Sequence, residues 1–564
     1  MRKIFFLIFI CLLTLPTMSR DISREGSFRV PFDFPLYLSG NFGELRSNHF
    51  HGGLDFKTQG VEGKPIRCIA DGYISRVSVS PGGYGNAIYI THPNGYTSVY
   101  GHLKAFLPEI ARMIKEYQYA NQCFVVDTLL DMASFPVHQG EVVAWAGNSG
   151  YSFGPHLHME IRETATNEPV DPLLFYKDKI KDARPPRAKS VMLYPQKGKG
   201  LLMGGTEKRS FTFTEGNKLN KRIEAWGLIG AGISANDYMD GTNNSYGVYS
   251  ITLLVDSVEV FNSLVGRFLF EENRMINSWT DYDEYRRRNK WYMKSFVEPG
   301  NPLRMLRATN DRRGLVNICE ERPYHFEYVL SDLHGNTSRY RFVIHGVPQE
   351  IHPHYSSASH QLRWSRSNFL QEFGMELVIP RGMLYDDCEL DVKVSMDSMS
   401  LSHVYYLGDE AIPLHSYCPL SIKVLRYPIA DVTKYYIASR SGNWEGSVGG
   451  VYENGYVKTN IRELRGSFYV EVDTVPPVVE PLNRAQWSNS GVISFKISDK
   501  ETGIQSYKGY VDGEFVLFEY STKNKRLTCR LTDTPVAKGK THTLQLAVTD
   551  MCGNVSTKEY SFRF

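Results

Sequence analysis

The stretch "GPHLHMEI", Gly154 to Ile161, sets two histidines one residue apart in a run that reads as a β-strand. Side chains alternate faces along a strand, so His156, His158 and Glu160 share one face while Leu157, Met159 and Ile161 share the other. The apolar set suits a core. The polar set is a row of groups able to hold a metal or move a proton, but a lone His-x-His pair means little without partners. Two other stretches supply them. "NHFHGGLDFKT" contains His51-x-x-x-Asp55, and "YGHL" contains His102.

The elements around these residues follow from turn chemistry and periodicity. Gly52-Gly53 makes a helix poor between His51 and Asp55 and favours a loop leading into a strand. "GNAIYITHPNGYTSVYGHL" reads as a hairpin turning at Asn94-Gly95, with its second strand ending at His102. "VHQGEVVAWAGNSGYSFGPHLHMEI" runs strand, glycine-rich turn, and the strand with both histidines. Between these two blocks Ile110, Met113, Ile114 and Tyr117 recur at helical spacing. They predict an amphipathic helix starting near Pro108, packed on the domain rather than walling the cleft. His49, His92 and His138 match no motif position and are expected at the surface.

In this order, HxxxD, "YGHL" and "GNSG…GPHLH" resemble the lysostaphin- or LytM-type zinc endopeptidases. "ADGYISRV", "GGYGN" and "VDPLLF" also match supporting positions, and the resemblance covers roughly residues 40 to 175. It implies that His51, Asp55 and His158 bind Zn2+ with water in the fourth position, and that His102 and His156 act on that water and on the transition state. The chemistry is consistent: two imidazoles and a carboxylate leave an open tetrahedral site, and zinc lowers the pKa of bound water toward ~7. A neutral histidine beside it can take a proton and return one to the leaving amine. Glu160 is assigned no metal by the resemblance and is expected to support the ligands or line the groove.

The 564-residue chain is too long for one core, and its 42% hydrophobic and 22% charged residues fit soluble, folded domains. Its 35 Tyr and 30 Phe favour β architecture. A net charge of +3 makes no case for nucleic acid. Arg2 and Lys3 precede an apolar run from Ile4 to about Leu15, too short for a membrane span, which predicts a cleaved signal peptide over 1–20 and an exported protein in the periplasm or cell envelope. Cys11 lies within that run. The other seven cysteines lack C-x-x-C spacing, so a cysteine zinc site is disfavoured; Cys388–Cys418 and Cys529–Cys552 could close disulfides, or all could be buried thiols.

Pro185-Pro186, the segment His345 to Tyr355, and Pro476-Pro477 divide the chain. They predict a lysostaphin-like metallopeptidase domain over 21–182, an Ig-like β-sandwich over 187–346, a β-rich domain over 347–475 and a second Ig-like β-sandwich over 476–564. The two sandwiches look related: Asp332, Gly335, Asn336 and Ser338 match Asp550, Gly553, Asn554 and Ser556 in spacing. That D-x-x-G-N motif could bind calcium, though a turn between the last two strands is the simpler reading. The expected fold class is therefore mainly β, with the chemistry confined to the first domain. The expected function is hydrolysis of peptidoglycan stem peptides or cross-links, with the diproline linkers spacing the later domains and those domains meeting envelope proteins. Rival readings are a catalytically silent regulator of another wall hydrolase, and a surface-binding protein.

Overall fold

The computed structural model describes residues 28–396 and 400–564; the signal peptide expected over 1–20, with Cys11, lies outside them. The chain is mainly β, with 47% of residues in strands and 9% in helices. Among the described residues no helix is long and apolar enough to cross a membrane.

The first region is built on an antiparallel sheet whose seven-strand path runs Leu38–Gly40, Leu54–Lys57, His156–Glu163, Tyr96–Gly101, Ala87–Thr91, Gly72–Val79, Val126–Leu129. A three-stranded sheet, Pro65–Arg67, Val142–Ala146 and Leu103–Phe106, covers it. Leu157, Met159 and Ile161 are fully buried between them, as the alternation requires. The hairpin at Asn94-Gly95 forms with Ile88 opposite Tyr100 and Thr91 opposite Thr97. The predicted helix spans Pro108–Ala120 and buries Ile110 and Ile114, while Tyr117 is exposed.

Strand pairing in the second region runs unbroken through a ten-stranded sheet around the long strands Arg187–Leu202 and Ile223–Asn236. The strands that follow form two five-stranded sheets, and the last stretch of chain two four-stranded sheets.

The diproline linkers do not act as spacers. Phe42 and Phe50, from the first region, are buried in the hydrophobic core of the second against Phe268. The hairpin Leu45–Phe50 is thus shared, and Asn41 exchanges hydrogen bonds with the backbone of Gly247 at 2.8–2.9 Å. The last region also folds back onto the first. Thr522 donates to Pro81 O, Lys523 donates to the carbonyl and side chain of Asn148, and Phe515 packs on Tyr119 of the helix. Rings that one region presents to the core of another favour contact over separation, which composition alone does not reveal.

The expected place of one histidine is corrected. His92 is buried, not at the surface: its ring bonds to Asp71 O at 2.9 Å and to Ser98 Oγ at 2.8 Å inside the hairpin. His49 and His138 are exposed, as expected. Of the two cysteine readings, free thiols hold: among the described residues no disulfide forms, Cys68, Cys418, Cys529 and Cys552 are buried, and Cys319 is exposed.

Candidate active site

The register of three strands assembles the site. His158 lies directly opposite Asp55 on one neighbouring strand and Gly101 on the other, and His102 follows at the end of the latter. Side chains at paired positions project from the same face, so the pairing brings His158 and Asp55 together. His51 joins from the loop before the Asp55 strand. That loop passes so close to the histidine strand that a Cβ on Gly53 would stand 2.2 Å from Met159 O. The glycine pair is therefore a requirement of close approach.

All five predicted residues meet. His51 Nε2 is 3.0 Å from Asp55 Oδ1 and 2.9 Å from His158 Nδ1, and His158 Nδ1 is 2.9 Å from Asp55 Oδ1. His156 Nε2 stands 3.5 Å from the same Asp55 oxygen. The His102 and His156 rings are 4.7 Å apart, and His102 and His158 5.8 Å. His51, Asp55, His102 and His158 are buried; His156 is half-buried.

Each histidine has its outer nitrogen fixed by an acceptor. His51 Nδ1 donates to Asn41 O at 2.6 Å, and His158 Nε2 to Glu160 Oε1 at 2.8 Å. His156 Nδ1 donates to Gly154 O at 2.8 Å, and His102 Nδ1 to Ser149 O at 2.9 Å. These bonds assign the tautomers and set the inner nitrogens of His51, His158 and His156 at 2.9–3.5 Å from Asp55 Oδ1. Two facing imidazole lone pairs at 2.9 Å repel unless a proton or a cation lies between them. The donor set of His51, Asp55 and His158 therefore fits a divalent ion such as zinc.

Electrostatics follow from burial and these contacts. Burial pushes His102 down, and the nearby His158 and His156 push it further, to about 3, so its Nε2 is an unprotonated base. Burial also opposes charge on His158, but hydrogen bonds to Asp55 and Glu160 outweigh it and raise its pKa to about 9. Burial works to raise the Asp55 carboxyl, yet His51, His156 and His158 hold it well below the usual range. Arg46 Nη2 sits 3.3 Å from the outer oxygen, Asp55 Oδ2, and 3.2 Å from Glu44.

Glu160 holds the His158 ring and does not line a groove. It is buried beneath His158, accepting from Tyr84 Oη at 2.5 Å and from Arg162 Nε at 2.6 Å. Burial alone would raise its pKa, but Arg162 and His158 bring it to about 2. Sequence reasoning missed Tyr84, Arg162, Asn41 and Ser149. Tyr84 lies inside the quoted "GGYGN" and Arg162 directly follows "GPHLHMEI", whereas Asn41 and Ser149 act through backbone carbonyls that no side-chain pattern can flag. The Ser149 loop is set by a glycine pair: Gly85 and Gly150 both have positive φ, and a Cβ on either would meet the other's backbone nitrogen at 2.2–2.4 Å. Tyr151 and Phe153, on the same loop, are exposed and stacked edge to face.

Fold and site define a β-sheet domain with a metallopeptidase-type centre. The comparisons agree: residues 49–122 match Peptidase family M23, so the chain carries an M23 peptidase domain, and residues 359–473 match the Zu5-like domain. The chain is 31% identical over 159 residues to a DD-carboxypeptidase/endopeptidase of Neisseria meningitidis, covering 27% of this chain and 30% of that protein. It is 27% identical over 147 residues to a glycyl-glycine endopeptidase of Staphylococcus capitis, covering 26% and 32%. Among solved structures it is similar to a zinc-containing peptidase from Vibrio cholerae, at 28% identity, 26% and 39% coverage, and a TM-score of 0.20. The match thus spans about 30% of the length of these curated relatives.

Proposed function

We propose that this protein is an exported zinc endopeptidase acting on peptide bonds of peptidoglycan stem peptides or cross-links. The observation that carries the reading is the meeting of His51 Nε2, His158 Nδ1 and Asp55 Oδ1 within 3.0 Å of one another, with the rings of His102 and His156 beside them. A zinc ion held there by His51, Asp55 and His158 would supply Lewis acidity and an acidified water. His102, an unprotonated base in a buried position, takes a proton at Nε2. His156, whose Nε2 stands near Asp55, holds or returns a proton to the leaving amine.

Relatives named for endopeptidase and DD-carboxypeptidase action support the substrate class, and the apolar run after Arg2 and Lys3 supports export to the envelope. The intact set of five residues disfavours a silent regulator. The test is digestion of purified sacculi by the zinc-loaded full chain, read by mass analysis. New peptide ends with whole glycan chains are expected; cleaved sugars with intact cross-links would overturn the reading.

A further inference from the structure

A second carboxylate cluster closes the junction between the first two regions. The motif D-x-x-P-P occurs twice, at Asp182–Pro186 and Asp473–Pro477, and each copy faces a D-x-x-G-N loop. Asn336 Nδ2 donates to Asp182 O at 3.1 Å and to Asp332 Oδ2 at 2.7 Å. Asn554 repeats both bonds, to Asp473 O and Asp550 Oδ2. Asp499 completes the later cluster. At the earlier one Asp182, Asp332 and His334 bring their ligand atoms within 4.8 Å of one another.

The two clusters differ in how their oxygens are satisfied. At the later junction Thr502 Oγ1 donates to Asp473 Oδ2 at 2.6 Å, and Asp499 Oδ1 accepts two backbone N–H groups. At the earlier one Asp182 Oδ2 and Asp237 Oδ1 are buried with no hydrogen-bond partner, and Asp237 is only 2% exposed. Asp237 lines the same small cavity as Asp332 and His334. Arg184 spends Nη1 on the carbonyls of Met239 and Thr242, and His334 Nε2 donates to Ile180 O, leaving Nδ1 as an acceptor. Burial, with Asp332 and Asp182 adding to it, pushes the Asp237 carboxyl up to about 8. Such oxygens, buried away from water, call for a proton or a cation. The cavity is about 10 Å³, room for one atom-sized ligand and no organic molecule.

We propose that this junction binds one divalent cation through Asp182, Asp332 and His334, with the unpartnered Asp237 carboxylate beside them. Carboxylate oxygens dominate the donor set, which suits hard ions such as Ca2+ or Mn2+. Asn41 and Phe42 line the same cavity, and the Asn41 carbonyl is the one that holds His51. A cation here therefore ties the second region to the loop that carries a catalytic-centre histidine.

The test uses the full chain, stripped with chelator and titrated with MnCl2 alone, read by electron paramagnetic resonance, and with CaCl2 alone, read by calorimetry. A His51→Ala/His158→Ala chain is run in parallel, so that occupancy of the first centre is scored separately. One ion per chain is expected in the His51→Ala/His158→Ala background, and for MnCl2 one more in the chain with the first centre intact, with a rise of the melting temperature in both. Asp237→Asn and Asp182→Asn should each weaken binding at least about tenfold, as loss of a charge at the ion does, while Asp499→Asn leaves it unchanged. Circular dichroism verifies that the near-isosteric variants fold. No binding up to roughly 10 mM, above the weakest natural Ca2+ modules, or binding indifferent to both variants, would mean a proton on Asp237 or a water fills the cavity and would overturn the proposal.

Discussion

The ring of Phe50, the residue immediately before His51, lies 5.9 Å from the ring of Trp279 in the core of the second region. Its backbone N–H is held by Asn273 Oδ1 at 3.0 Å. The position of His51 is therefore set from outside the sheet that carries Asp55 and His158. Phe50→Ala should cost about 3–5 kcal/mol, as core Phe deletions do, and should weaken zinc binding; Phe50→Leu should recover most of both. A chain ending at Lys181 should show exposed apolar surface and reduced zinc affinity. Full metal affinity in Phe50→Ala, despite lost stability, would show that the loop is positioned without this contact.

Metal holding and proton transfer are separable in the site. His158→Ala should abolish stoichiometric zinc, because it removes the lone pair shared with His51 and Asp55. His102→Ala should keep the zinc and lose roughly 10²–10⁴-fold in turnover, the usual worth of acid–base assistance. His156→Ala should behave alike. Metal analysis beside kinetics decides it; equal zinc content in wild type and His158→Ala would remove His158 from the ligand set.

Glu160 acts on the site through His158. Glu160→Gln keeps an acceptor for the His158 N–H but leaves Arg162 with less charge to pair in a buried place. Zinc affinity should fall about 10–100-fold, the usual range for removing such a support, with His158 still ligating. Competition with a chromophoric chelator measures this, and unchanged affinity would show that the Glu160 charge does not tune the ligand.

How far these relationships are legible in the sequence depends on their kind. Period-two alternation was enough to place His156 and His158 on one face, and the hairpin signal at Asn94-Gly95 delivered His102 to its strand end. Those are local rules. The Phe42 and Phe50 contacts are not local: a phenylalanine reads as core without saying whose core. Backbone acceptors such as Asn41 O and Ser149 O leave no residue-type signal at all. His92 was misplaced for a related reason, since a buried histidine satisfied at both ring nitrogens looks in sequence like any polar residue in a hairpin.

Phe153 is 90% exposed and directly precedes Gly154, whose carbonyl orients His156. With Tyr151 it presents an aromatic face on the loop beside the site. Phe153→Ala should raise KM for a peptide substrate severalfold, while zinc content and unfolding stay unchanged, because an exposed ring contributes little to the fold. An unchanged KM would mean substrate does not cross this face.

Asp171 gives the sign of a pH effect. It is buried, and burial raises its pKa to about 7, with one opposing bond from Leu173 N at 2.9 Å. Asp237, Asp332 and His334 face it across the junction cavity, and Tyr249 also lies on that wall. A carboxyl whose folded pKa lies above its unfolded value favours folding fully below about pH 4, and that contribution is lost as pH rises through 7. Ionised Asp171 is thus a burden at pH 8. Asp171→Asn cannot ionise and retains an acceptor for Leu173 N–H. It should match wild type near pH 4 and exceed it at pH 8 by at most about 4 kcal/mol, from some three pKa units at 1.36 kcal/mol each. Thermal unfolding of both full chains in chelator at pH 4, 6 and 8 measures the gap. A difference that stays constant across that range would show that Asp171 ionises outside it, and that its burial is compensated by a group other than those facing the cavity.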